Sequence, residues 1–210
     1  MATLWKQLRY STHVIFHPFD GFWDLKHEHR GSTKSATVIL LLLVLNSILS
    51  TQFTGFLYNS DYDGVSLNIL SEFFSTVGTF MLYCISNWAL TTLMDGEGRF
   101  SDIYMVSAYA LMPMVLLGIP LTFISNAMSL DYAAFYSIVN AIIYVWCGFL
   151  LLSSLLVVHQ YTLGKTLLTA ILIVVGMAII VFLGLLFFNL ISQLVGFIVE
   201  LYWELSLRFF

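Results

Sequence analysis

Five long stretches of the chain contain no Asp, Glu, Lys or Arg, and this feature limits the fold more than any other. The uncharged stretches hold 26 residues between Lys34 and Asp61, 22 between Glu72 and Asp95, 28 between Asp102 and Asp131, 33 between Asp131 and Lys165, and 34 between Lys165 and Glu200. About 20 apolar residues cross the hydrocarbon core of a bilayer as an α-helix. The pattern therefore predicts five membrane spans, at residues 36–57, 72–94, 103–124, 133–158 and 166–190.

The composition supports the same conclusion. Of the 210 residues, 60% are hydrophobic and 10% are charged, and the mean hydropathy is +0.91. Soluble domains average roughly 45–50% apolar and about 25% charged residues. These values exclude a cytosolic enzyme, a nucleic-acid-binding protein and a disordered regulator. The uncharged runs are apolar on every side and do not alternate as barrel strands do, so we predict an all-α, polytopic membrane helix bundle.

The basic residues predict the orientation of the bundle, because Lys and Arg concentrate in cytoplasmic connections. A cytoplasmic N-terminus places seven of the eight on the inner side: Lys6, Arg9, Lys26, Arg30, Lys34, Arg99 and Lys165. Only Arg208 is then outside. We therefore expect the N-terminus inside and, after five spans, the C-terminus outside.

Three segments are expected along the chain. Residues 1–35 form a cytoplasmic or interfacial N-terminal segment, residues 36–195 the five-span domain, and residues 196–210 an outer amphipathic helix end. Four aromatic side chains of the first segment either lie among lipid headgroups or pack onto the inner ends of the spans: Phe16, Phe19, Phe22 and Trp23. For the last segment, a bend at Gly196 and a straight outward projection are both compatible with the sequence.

The sequence gives little indication of chemistry. The N-terminal segment contains an i,i+4 pair, His13 and His17, and a His-x-His, His27 and His29. Such histidines could in principle bind zinc. However, no cysteine accompanies them, and a proline and a glycine interrupt the helix between the two pairs. We expect ordinary interfacial histidines, no metal and no cofactor. Polar residues inside the spans are limited to amides and hydroxyls, and nucleotide, hydrolase and metalloprotease motifs are missing. We therefore expect neither an enzyme nor a nucleic-acid partner.

Glycines and prolines near the third span indicate local structure, and small and polar residues of the fifth span indicate a surface for helix contact. Gly96 and Gly98 indicate a tight turn before the third span, and Pro113 and Pro120 predict a kinked packing helix, with a gating hinge as the alternative. In the fifth span, small residues at multiples of four permit close helix contact, and the end of the helix adds polar contacts. The candidate partner-contact residues are Gly176, Gly184, Ser192, Gly196, Glu200, Glu204 and Arg208. This ridge could equally pack against the protein's own helices.

The segment DGEGRFSDIY, followed by SAYALMP, resembles the bacterial Yip-domain family of multi-span membrane proteins. The likeness includes an early His-Pro, five spans, a proline after Tyr109 in the third span, and a His-Tyr-Lys turn at His159, Tyr161 and Lys165. Where relatives often have Gly-Tyr, this chain has Ala108-Tyr109. The eukaryotic Asp-Leu-Tyr-Gly-Pro signature is missing, so a Rab-like partner is not implied.

The resemblance implies five spans with the N-terminus inside, a bacterial plasma membrane, membrane lipids as surroundings and no catalytic residues. Members that share the DGEGRF stretch tend to be encoded beside permeases of carbohydrate ABC importers. We therefore expect a non-catalytic accessory or assembly subunit that associates with ABC permeases and an extracellular sugar-binding component. A stand-alone small-molecule carrier or channel, and a membrane-shaping or lipid-associated protein, are the alternatives.

Overall fold

The computed structural model describes residues 2–55, 57–58 and 68–209, with side chains described from residue 4 to residue 204 of those ranges. All regular structure in the described residues is helical. The helices are α1 (Ala2–Phe16), α2 (Pro18–His27), α3 (Thr33–Phe53), α4 (Ile69–Leu93), α5 (Phe100–Ala110), α6 (Met112–Ser125), α7 (Ala133–His159) and α8 (Leu163–Phe209), with one 3₁₀ turn at Leu130–Tyr132.

Five helical segments of the described chain are long and apolar enough to cross a membrane. They are Thr33–Phe53, Ile69–Leu93, Phe100–Ser125, Leu130–His159 and Leu163–Glu204. The predicted all-α bundle with five spans is therefore confirmed.

The first span is shorter than predicted at its far end, because α3 stops at Phe53 and does not reach residue 57. Beyond it, the Gly55 N–H donates a hydrogen bond of 2.8 Å to Ser125 Oγ at the end of α6. A Cβ atom at Gly55 would lie 2.6 Å from the Ser125 carbonyl oxygen. The chain leaves the helix at Thr54 and passes so close to α6 that only glycine fits.

The third span is two helices with one residue between them. The N–H of Leu111 still reaches Ser107 O and Ala108 O, at 3.3 and 3.2 Å, but α5 ends at Ala110 and α6 restarts at Met112. Pro113 has no N–H to continue the ladder, and its ring would clash with the carbonyl four residues earlier. The break therefore lies immediately before the first of the two prolines.

The N-terminal helices belong to the same core as the spans. Val14 of α1 and Phe22 and Leu25 of α2 are fully buried in a cluster that continues to Val158 of α7. Of the N-terminal aromatics, Phe22 packs onto the span ends, whereas Phe16 is 76% exposed. Packing onto the spans therefore holds for Phe22, and the headgroup location of the exposed side chains stays a prediction.

The connections divide between two ends of the bundle. At one end, Lys26 of α2 contacts Glu97 in the α4–α5 connection and Val158 near the α7–α8 connection. We call this the N-terminal end. At the opposite or distal end, Asn126 Nδ2 donates 2.6 Å to Phe53 O, and the Tyr58 and Tyr136 rings lie 4.8 Å apart.

Helix α8 has 47 residues and passes through Gly196 without a break. Its first part packs against α4 and α7, and Ile173 is the last side chain that is fully buried. Residues 185–204 are exposed on every side. We call residues 185–204 the outer half of α8.

Candidate functional site

Two connections meet at the N-terminal end, one on each side of His159. The Gly98 N–H donates a hydrogen bond of 3.3 Å to His159 Nδ1, and the His159 side chain is buried. A Cβ atom at Gly96 would lie 2.6 Å from His159 Nδ1 and 2.7 Å from the Tyr161 hydroxyl, and one at Gly98 2.6 Å from His159 Cε1. We call these residues the glycine junction, because the two connections can approach this closely only with glycine at positions 96 and 98. Its members are Gly96, Gly98, His159, Tyr161 and Lys165.

The lysine of the junction closes the end of α4. Lys165 Nζ donates 2.6 Å to the Met94 carbonyl and lies 4.1 Å from the centre of the Tyr161 ring. The Tyr161 hydroxyl donates to the same carbonyl at 3.0 Å. A cation near the free carbonyls at a helix C-terminus is favourable. Burial, and then the nearby Asp95 carboxylate, raise the pKa of Tyr161, so the phenol stays protonated and remains a donor.

A second lysine closes the end of α7 in the same way. Lys26 Nζ donates 2.8 Å to the Val158 carbonyl and lies 3.5 Å from a Glu97 carboxylate oxygen, and its side chain is 12% exposed. This role of Lys26 was not predicted from the sequence. Lys26 is 132 positions away from Val158 along the chain, so no local pattern could have indicated the contact.

The junction fixes the protonation state of His159 by its geometry. Because Nδ1 accepts the Gly98 N–H, the ring is neutral with its proton on Nε2. The ring also stacks on Tyr161, with centroids 5.4 Å apart. Such a histidine is well suited to holding two connections together.

An open basin of about 660 Å³ lies beside the junction. Charged groups of both signs line it, among them Lys26, Glu97, Arg99 and Asp102. His27 and His29 also line it. The mixed charge could receive a polar partner segment at this end of the bundle.

The N-terminal histidines contact aromatic rings. His13 and His17 stack with centroids 4.9 Å apart, and His27 stacks on Trp23 at 3.8 Å. Within the described ranges, no group of three or more His, Cys, Asp or Glu side chains is placed to hold a metal ion.

Tyr109 joins the N-terminal helices to the spans. Its ring is fully buried, and its hydroxyl lies 2.9 Å from Ser35 Oγ and donates to the Gln7 carbonyl at 3.2 Å. Ser32 Oγ, at the N-cap of α3, donates 2.8 Å to Gln7 Oε1. One phenol therefore connects α1, α3 and α5. No sequence pattern predicted that Gln7 and Ser35 contact Tyr109.

The glycine junction, Tyr109 and Ser35 lie within the part of the chain that a family model matches, whereas Gln7 lies before it. The Yip1 domain model covers residues 12–186. The chain belongs to the Yip1 domain family. No curated protein and no solved structure matches it. The Yip1 domain ends at residue 186, near the point where the outer half of α8 begins.

Within the Yip1 domain, the two prolines of α6 have different surroundings. Pro113 is fully buried, whereas Pro120 is exposed. Between them, a Cβ atom at Gly118 would lie 2.7 Å from Asn46 Oδ1 on α3. The proline-containing helix therefore packs closely against the first span through Gly118.

The candidate partner-contact residues separate into two groups. Gly176, in the Yip1 domain, faces the protein's own α4, where an added Cβ would lie 2.6 Å from Ser86 Oγ. At Gly184 and Gly196 an added Cβ would meet no described atom within 4 Å. The other exposed members of the ridge are Ser192, Glu200 and Glu204. The Arg208 side chain lies outside the described residues.

Proposed function

We propose that this Yip1-domain chain is a non-catalytic accessory or assembly subunit that binds another membrane protein through the outer half of α8. The observation that carries the proposal is the exposure of this helix on every side. A packed subunit interface would bury such a surface, and Gly184 and Gly196 leave room for a second helix backbone to approach closely.

The length of α8 supports this proposal. Its 47 residues extend for about 70 Å at 1.5 Å per residue, more than twice the hydrocarbon thickness of about 30 Å. The uncharged stretch alone runs from residue 166 to residue 199. An apolar helix that leaves the bilayer needs another surface to cover it, because large exposed apolar patches are typical of interaction sites.

The partners we propose are the permeases of a carbohydrate ABC importer, together with an extracellular sugar-binding component near the end of α8. Support for this class comes from the resemblance of the DGEGRF stretch to members encoded beside such permeases. ATP hydrolysis and sugar selection would belong to the other subunits. This chain would brace the permeases, guide their assembly or hold the receptor near the entrance.

The orientation we propose places the N-terminal end of the bundle in the cytoplasm and the end of α8 outside, in a bacterial plasma membrane. The excess of Lys and Arg in the connections at the N-terminal end supports it. Single cysteines at Ser101, Thr162 and Ser129, in a chain with Cys84 and Cys147 replaced, test it with a membrane-impermeant thiol reagent. Labelling of Ser129 alone in intact cells is expected, whereas labelling of Ser101 or Thr162 would reverse the orientation.

Site-specific photocrosslinking in native membranes tests the partner. Crosslinkers at Gln193, Phe197 and Glu200 should capture permease subunits, identified by mass spectrometry after purification in mild detergent. Position 176 is the matched control on the same helix, since Gly176 faces Ser86 of the same chain and should give only internal products. Capture of nothing but further copies of this chain would contradict the proposal and favour a stand-alone carrier or a membrane-shaping protein.

A further inference from the structure

A cleft of about 500 Å³ opens between α3, α4 and α7. Its volume is within the range of small-molecule sites, roughly 300–1,000 Å³. Hydroxyl and amide side chains line much of it: Asn46, Ser47, Ser50, Thr51, Ser75, Thr76 and Thr79. Apolar side chains that include Leu43, Phe80 and Leu151, together with Tyr83 and Tyr144, line the remainder.

Several polar groups of the cleft have unused hydrogen-bonding capacity. Asn46 Oδ1 has no hydrogen-bond partner in the part of the chain that the structure describes, but it is buried and faces Gly118 of α6. In the same described part, the hydroxyls of Ser75, Thr76 and Thr79 have no partner either. Such hydroxyls usually bond a carbonyl one turn earlier in their own helix. Thr92 of α4 does so, at 2.7 Å from Trp88 O, so the cleft hydroxyls remain available to a ligand.

Along the bundle, the Ser and Thr hydroxyls of the lining lie nearer the distal end than Leu40, Leu43 and Phe80. On α4, the hydroxyls of Ser75 to Thr79 lie nearer the distal end, and Phe80 follows them toward the middle of the bundle. On α3 the order matches, with Ser47 to Thr51 near the distal end and Leu40 to Leu43 deeper. A lipid in that leaflet has the same polarity gradient, from its glycerol and ester groups to its acyl chains.

The charge of the cleft restricts the headgroup. Its lining contains no Lys or Arg among the described residues, and the Glu72 carboxylate lies at its distal side, where it accepts 2.6 Å from Ser47 Oγ. A phosphate would meet this carboxylate without a compensating cation. We propose that the cleft binds an uncharged glycerolipid, with its hydroxyl and ester oxygens among the Ser and Thr hydroxyls and one acyl chain along Phe80 and Leu151.

Photolabelling of the full chain in phosphatidylcholine vesicles tests this proposal, with a photoactivatable diacylglycerol as the probe. We expect labelling to concentrate on peptides of α3 and α4 and to be stronger than with photoactivatable phosphatidylglycerol. Replacing both Thr76 and Thr79 with Val keeps the side-chain shape and removes two hydroxyls. At about 0.6 kcal/mol for each hydrogen bond in a membrane, the loss of two bonds should lower labelling by at least about eightfold.

Thr92→Val on the same helix is the matched control, since its hydroxyl bonds its own helix, and its labelling should not change. Ser75→Trp, which fills the cleft, should also abolish labelling and gives a second reading if the double variant folds poorly. Labelling spread evenly over all the spans, or unchanged in both cleft variants, would overturn the proposal. So would a crosslinker at Thr76 that captures a polypeptide in native membranes.

Discussion

The N-terminal end of the bundle and the outer half of α8 are both built from helices of the same apolar chain, yet their packing is opposite. At the N-terminal end, the helix ends at Met94 and Val158 are each closed by a lysine, and glycines bring two connections into contact with one histidine. In the outer half of α8, every side chain is exposed. The contrast separates a region where distant parts of the chain are held together from a helical region that packs against no other helix among the described residues.

A glycine-to-alanine pair should give the largest difference between the two regions. Gly98→Ala places a methyl group 2.6 Å from His159 Cε1 and 2.8 Å from Val158 Cγ1, and we expect a loss of about 1–3 kcal/mol of stability. Gly184→Ala meets no described atom, and the better helix propensity of alanine should raise stability by about 0.5–1 kcal/mol. Thermal unfolding of both variants in detergent checks the opposite signs, and equal shifts would break the comparison.

Tyr109→Phe should have the next largest effect. The change removes the hydroxyl that contacts Ser35 and Gln7, with an expected cost of about 1–2 kcal/mol. Because Gln7 is in α1, hydrogen exchange should accelerate most in residues 2–16. Tyr104→Phe is the control, since among the described residues the Tyr104 hydroxyl bonds the exposed Thr37 alone, and its loss should leave α1 protected.

Lys165→Met keeps the length and apolar stem of the side chain but removes the charge that closes α4. The bond to the Met94 carbonyl and the contact with the Tyr161 ring are lost, and we expect about 1 kcal/mol of destabilisation. The exposed Lys34, changed to Met, provides the control. Unfolding midpoints that shift equally for the two variants would show that Lys165 adds nothing beyond its general surface charge.

Phe187→Ala should have the smallest effect on stability. Phe187 is 61% exposed in the outer half of α8, so a change of less than about 0.5 kcal/mol is expected. The same substitution should weaken photocrosslinking from Gln193 if the outer half binds a partner. A loss of stability above about 1 kcal/mol would place this phenylalanine in the protein's own fold.

Much of the fold followed from short-range patterns in the chain. The uncharged stretches gave the number and type of the spans, because a bilayer requires about 20 apolar residues in each helix. Pro113 indicated the interruption of the third span, because proline lacks the N–H that the helix needs there. The turn at Gly96 and Gly98 was likewise predictable from two glycines among charged residues.

The site was predictable only in part. The family resemblance singled out Tyr109, His159, Tyr161 and Lys165 without saying what they contact. Their partners lie far away in the chain, as with Lys165 and the Met94 carbonyl, 71 positions apart. No periodicity or spacing specifies a contact of that kind.

The sequence by itself determined that this chain forms apolar helices, roughly where the five spans lie, and that it is a five-span bundle of the Yip1 domain family. Only the tertiary structure decided which small residues of α8 pack against the protein's own helices. Gly176 and Gly184 belong to the same four-residue repeat of small residues on α8. Gly176 packs against Ser86, whereas a Cβ atom at Gly184 would meet no described atom within 4 Å. The physical reason is that helix periodicity defines a face, whereas its neighbour depends on how the other helices tilt and where their connections close.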